Sequence, residues 1–114
     1  MVTVLLGLLI GAASPTTTAD AATEDDLRCL VVSIYLVKNK DPELAKAGQM
    51  ASGYFLGRID GRTPHLDLEE AMVRVSKSMD EARVKAEAGR CGALLQQRGA
   101  AVVAMGRRIK QRGE

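Results

Sequence analysis

The side chains with the widest chemical range in this chain are two cysteines, Cys29 and Cys91, and a single histidine, His65. A thiol can be a nucleophile, a metal ligand or half of a disulfide, and an imidazole can carry protons or hold a metal. Neither cysteine sits in a Cys-x-x-Cys motif and no cysteine–histidine cluster exists, which argues against a redox dithiol or a zinc site. In an exported chain two cysteines with none left over read as one structural disulfide. Closing a loop of that length is worth about 4 kcal/mol in the chain-entropy model. Any histidine-dependent acid–base mechanism would have to centre on His65. Asp67, Glu69 and Glu70 follow it and could in principle gather a cation, but the simpler reading is a solvated loop leading into a capped helix. There is no Gly-x-Ser-x-Gly elbow and no glycine-rich phosphate loop. The expectation is a protein that is not an enzyme, with no catalytic residues, no metal and no cofactor.

The elements that must position these residues read as helices. Thr23 can cap a first helix whose opening turn is Glu24-Asp25-Asp26, acids suited to the positive end of the dipole, and which runs to Lys38. Leu27, Leu30, Val31 and Ile34 make one apolar face of it. Cys29, Val32 and Leu36 make the opposite face apolar as well, so residues 27–37 are expected to be surrounded by the other helices. Asp41-Pro42-Glu43 starts a second helix with a cap, a first-turn proline and an acid. Leu44, Gly48, Ala51, Phe55 and Ile59 give its stripe, and Gly48, Gly53 and Gly57 point to close helix packing. Asp60-Gly61 ends it. After Arg62-Thr63-Pro64-His65, Asp67 caps a short third helix with Leu68, Met72, Val75 and Met79 inward. Ser78-Met79-Asp80-Glu81 reads as a capping box for a long fourth helix that carries Cys91, Leu94 and Leu95, bends or breaks near Gly99, and frays after Lys110. No segment alternates as a strand. The fold expected is all-α, a small four- to five-helix bundle stapled by one disulfide.

The chain has 114 residues, room for one small domain. Its apolar content of 46% with 26% charged residues is a globular balance, and aromatics at 3% leave the core to aliphatic side chains. Residues 2–13, VTVLLGLLIGAA, form an uncharged apolar run of signal-peptide length, too short to span a bilayer comfortably. Ala19-Asp20-Ala21 offers a peptidase site, with Gly11-Ala12-Ala13 and Thr17-Thr18-Ala19 as weaker ones, so residues 1–21 are read as a signal peptide and 22–114 as the helical domain. The location expected is periplasmic or secreted. The leader lacks an opening Lys or Arg, and an envelope-anchored structural protein that keeps this segment is the rival reading.

Partners are the hardest property to read. A formal charge of +2 is too small to imply nucleic-acid binding. Arg98, Arg107, Arg108, Lys110 and Arg112 accompany Val102, Val103, Met105 and Ile109, which makes a basic amphipathic end suited to weak contact with the envelope or simply to the negative end of the last helix. The surface best placed for recognition is the end of the second helix with its loop: Tyr54, Arg58, Asp60, Arg62 and His65.

The stretch Gly53-Tyr54-Phe55-Leu56-Gly57-Arg58-Ile59-Asp60-Gly61 resembles a helix-end pattern, Gly-Tyr, Gly, Asp-Gly, of small periplasmic helical proteins that include immunity proteins against secreted effectors. The layout of a leader, a helical domain and one long-range disulfide is similar to acid-stress periplasmic chaperones of the HdeA type. The first resemblance implies a periplasmic protein-binding module, and the second an acid-responsive chaperone.

Overall fold

A computed structural model describes residues 20–113 of the chain. The expected leader therefore lies outside the described residues, apart from Asp20 and Ala21. Four helices follow in order among the described residues: α1 Ala21–Val37, α2 Pro42–Arg62, α3 Leu68–Lys77 and α4 Glu81–Gln111. The all-α class is the observed one.

Local chemistry sets the helix starts. Asp41, Asp67 and Asp80 each turn a carboxylate back onto the first turn of α2, α3 and α4, accepting from the backbone N–H of Glu43 at 2.9 Å, Glu70 at 3.1 Å and Arg83 at 2.7 Å. The first cap differs from the sequence expectation. Asp20, rather than Thr23, caps α1: its carboxylate accepts from Thr23 N at 2.8 Å and its carbonyl from Glu24 N at 2.9 Å. Thr23 is fully buried one turn inside the helix, so α1 and its cap begin within the segment read as leader. The capping box at Ser78 also gives way. Ser78 is the C-cap of α3, its hydroxyl donating to Val75 O at 2.7 Å, and Asp80 takes the capping role for α4. α4 runs unbroken through Gly99, because its backbone ladder continues whether or not a side chain is present there.

α1 is the element on which α2, α3 and α4 all pack. Leu27, Cys29, Leu30, Val31 and Val32 are buried, joined by Ala51, Phe55 and Ile59 of α2, Ala71 and Val75 of α3, Met79, and Cys91 of α4. Ile34 breaks the expectation. It is 42% exposed, because it lines an open groove between α1 and α3 rather than packing directly on α3. Gly48 is where α1 and α2 approach most closely, with a Cβ at that position meeting Val37 N at 2.7 Å and Leu36 Cβ at 2.8 Å. Gly53 and Gly57 face open space, so close packing explains one of the three α2 glycines.

Cys29 and Cys91 form the expected disulfide, with a Cα–Cα distance of 5.6 Å inside the ordinary range. It joins the middle of α1 to the middle of α4, and both cysteines are buried. The first and fourth helices are thereby tied across 62 residues of sequence.

Candidate functional site

Two buried carboxylates organise the polar chemistry of the fold. Asp26 is 1% exposed and accepts from Arg58 Nε at 3.1 Å and Arg62 Nη1 at 2.8 Å, both on α2. Glu87 accepts from Arg83 Nε at 3.1 Å and Arg90 Nε at 2.7 Å, and pairs with Arg28 Nε at 3.2 Å. Arg90 also donates to Asp25 O at 2.9 Å and to Cys29 Sγ at 3.2 Å, so its guanidinium lies over the disulfide. A carboxylate this deep in an apolar setting is tolerated only when ion pairs replace its lost water. The Asp26 pair fixes the C-terminal half of α2 on α1, and the Glu87 cluster fixes α4 on α1.

Of the five surface residues picked from sequence, three meet. Arg58 Nη1 donates to Tyr54 Oη at 3.0 Å while its Nε holds Asp26, and Arg62 binds the same carboxylate. Burial raises the Tyr54 phenol, but the hydrogen bond from Arg58, another from Arg98 on α4, and their two charges outweigh it and leave the phenol below its ordinary value. The hydrogen bond to Tyr54, with Asp26 beside it, holds the Arg58 guanidinium above its ordinary value despite desolvation. Arg58 also stands 5.6 Å over the Tyr54 ring, and that ring meets Phe55 edge-on at 5.1 Å between centroids. Asp60 and His65 are exposed and stand apart from this group, Asp60 because two residues along a helix turn it to the far side from Arg58. Neither makes a side-chain hydrogen bond or ion pair among the described residues.

Sequence reasoning missed the buried roles of Asp26 and Glu87, and it grouped Arg98 with the basic end of α4 rather than with Tyr54. Asp26 was read as a first-turn acid, although its spacing to Cys29, Leu30 and Ser33 already placed it on a buried face. Glu87 lies one turn before Cys91 and one turn after Val84, which is the same signal.

Two open grooves flank α1 and α2. The larger, about 500 Å³, lies between α2 and α4 and is lined by Ala47, Met50, Ala51, Tyr54, Leu95, Arg98, Gly99 and Val102. Its walls are almost wholly apolar, with Tyr54 and Arg98 the polar handles. Met50 at 71% and Val102 at 61% exposure show how much of that surface faces water. The smaller, about 210 Å³, runs between α1 and α3 past Ile34, Tyr35 and Met72. Among the described residues no cluster of histidine, cysteine or acidic side chains is placed to hold a metal, and no helix is long and apolar enough to cross a membrane. Arg107, Arg108, Lys110 and Arg112 are exposed on the end of α4.

No family model, curated protein or solved structure matches the chain.

Proposed function

We propose that the chain is a non-enzymatic protein-binding module that works outside the cytoplasm, in the periplasm or as a secreted protein, built as a four-helix bundle around α1. The observation that carries this reading is the α2–α4 groove. It is a solvent-facing apolar surface with a tyrosine and an arginine at its edge, the side-chain types that anchor protein interfaces, and it lies on helices tied down by a disulfide and two buried ion clusters. A rigid frame limits the entropy lost on binding. The disulfide supports an oxidising location. Capture of a protein by the purified, oxidised chain should be lost with Met50→Glu and Tyr54→Ala and kept with Glu69→Ala on α3. Equal capture by all of these variants would reject the groove as the binding surface.

A second reading, an acid-responsive chaperone, draws on Asp26 and Glu87. Those two carboxylates partner five arginines, of which Arg58 and Arg62 tie α2 to α1 and Arg28 ties α1 to α4. With every acid neutral, the sixteen Lys and Arg and His65 repel one another unopposed. The chaperone reading requires that acid loosening coincide with suppression of client aggregation. Loosening without client protection rejects it and leaves the binding module standing.

A further inference from the structure

α4 is longer than the body it packs on. Val84, Glu87, Cys91, Leu94 and Leu95 face the core, and Val102, Met105 and Ile109 follow Cys91 by 11, 14 and 18 residues, which is three, four and five helical turns. The core-facing stripe therefore continues along residues 100–111, where Val102, Met105 and Ile109 are 61, 46 and 48% exposed, with Val103, 55% exposed, about a third of a turn to one side. Beside that stripe Gly92, Gly99 and Gly106 recur every seven residues. A Cβ at any of them would meet nothing within 4 Å, so among the described residues nothing requires glycine at these places, although each weakens the helix relative to alanine.

Building on the protein-binding reading of the groove, we infer that its partner is a second copy of this chain. The two α4 helices run antiparallel about a two-fold axis near Val102, and the arm of residues 100–111 from each copy lies in the α2–α4 groove of the other. In that register two of the α4 glycines stand opposite large residues and apolar residues meet apolar ones. Gly99 of one copy faces Met105 of the other, Gly106 faces Arg98, and Leu95 faces Ile109, with Val102 on the axis. Charge selects the same direction. The basic arm residues Arg107, Arg108, Lys110 and Arg112 fall beside Gln97, Gln96, Leu94 and Gly92, all uncharged, whereas parallel pairing would stack four cations on four. The area also suffices. The arm is about 18 Å of helix roughly 10 Å across, so covering half of its lateral surface buries on the order of 280 Å². One arm and one groove per copy then give on the order of 560 Å² per partner, about 1,100 Å² in total, above the roughly 1,000 Å² that a specific interface needs.

Sedimentation of the purified, disulfide-intact protein at micromolar concentrations tests this. A dimer is expected, at least tenfold weaker in Val102→Glu and in the double variant Gly99→Leu, Gly106→Leu. Both leave the helicity of the monomer intact, because the altered positions are exposed in it. A photo-crosslinking residue in place of Ile109 should join to the region of Leu95 and Met50 of the other copy. A chain that stays monomeric, a dimer indifferent to those variants, or crosslinks from position 109 to position 109 would overturn the inference. A monomer that binds another protein through Met50 and Tyr54 overturns it while the binding module survives. A monomer whose arm takes up anionic phospholipid vesicles and whose groove captures nothing overturns both.

Discussion

Replacing Gly48 by alanine should destabilise the protein, even though alanine is the better helix former. The added methyl would stand 2.7 Å from Val37 N, 2.8 Å from Ser33 O and 2.8 Å from Leu36 Cβ. Two of those three atoms are backbone of α1 and cannot rotate aside, so relief requires α1 and α2 to separate beside Ser33 and Ala51, which are both buried. Overpacking costs about 1–3 kcal/mol, and backbone atoms under 3 Å put this site in the upper part of that range, about 2–3 kcal/mol, against which the propensity gain of alanine returns about 1 kcal/mol. The net expectation is a loss of about 1–2 kcal/mol, a fall of roughly 4–16 °C in Tm for a domain of this size. Gly53 and Gly57 lie on the same helix with nothing within 4 Å, and alanine there should add about 0.5–1 kcal/mol each. Urea unfolding of the oxidised protein, followed by far-ultraviolet circular dichroism, measures all three changes on one scale. A Gly48→Ala variant as stable as the parent, or Gly53→Ala and Gly57→Ala variants as damaged as Gly48→Ala, would refute the close contact of α1 with α2.

Replacing both Cys29 and Cys91 by serine should cost about 2–5 kcal/mol, with Tm falling before helicity does, since the apolar faces still drive packing. Free thiols at both positions in protein from an oxidising compartment, shown by non-reducing peptide mapping, would refute the pairing. Asp26→Ala should cost about 1–3 kcal/mol, whereas removing Arg58 and Arg62 together should cost about 3–5 kcal/mol, because it strands a buried carboxylate while the first change leaves two arginines that can reach water. Equal losses in chemical denaturation would contradict that asymmetry. In a Tyr35→Phe background the remaining tyrosine, Tyr54, should ionise below 10 by ultraviolet absorbance, and Arg98→Ala should raise its midpoint. The backbone N–H of Thr23 lowers the Asp20 carboxyl, so Asp20 contributes stability above its unfolded value near 3.9 and loses it as pH falls through the lower folded value. The stability difference between parent and Asp20→Ala should accordingly shrink over that acid range, and a difference constant through it would exclude the cap.

The helices were legible because their signals are local. Asp41-Pro42 and Asp67 announce helix starts through backbone N–H groups within three residues, and the 3.6-residue spacing of Ala51, Phe55 and Ile59 marks a buried face without knowledge of the partner. The cysteine pair was legible by counting, because two cysteines with none left over leave one simple arrangement. The reading of α1 as the central element followed from apolar residues on both of its sides.

Tertiary structure decided what depends on the distance between helices. Asp26 and Arg62 are 36 residues apart in sequence, and nothing local distinguishes their ion pair from solvated charges on two surfaces. The glycines of α2 look alike along the chain, yet only the placement of Leu36 and Val37 separates Gly48, which α1 requires, from Gly53 and Gly57, which it does not. Ile34 carries the same apolar signal as Leu27, but it falls on the open groove between α1 and α3, so one is exposed and the other buried. Tyr54, Arg58 and Arg98 become a group only when α4 crosses α2. Caps and periodicity are interactions within a turn or two and are written in neighbouring residues. Grooves, buried ion pairs and exposed continuations of a core-facing stripe arise from where one helix ends beside another, and that is fixed only when the helices pack.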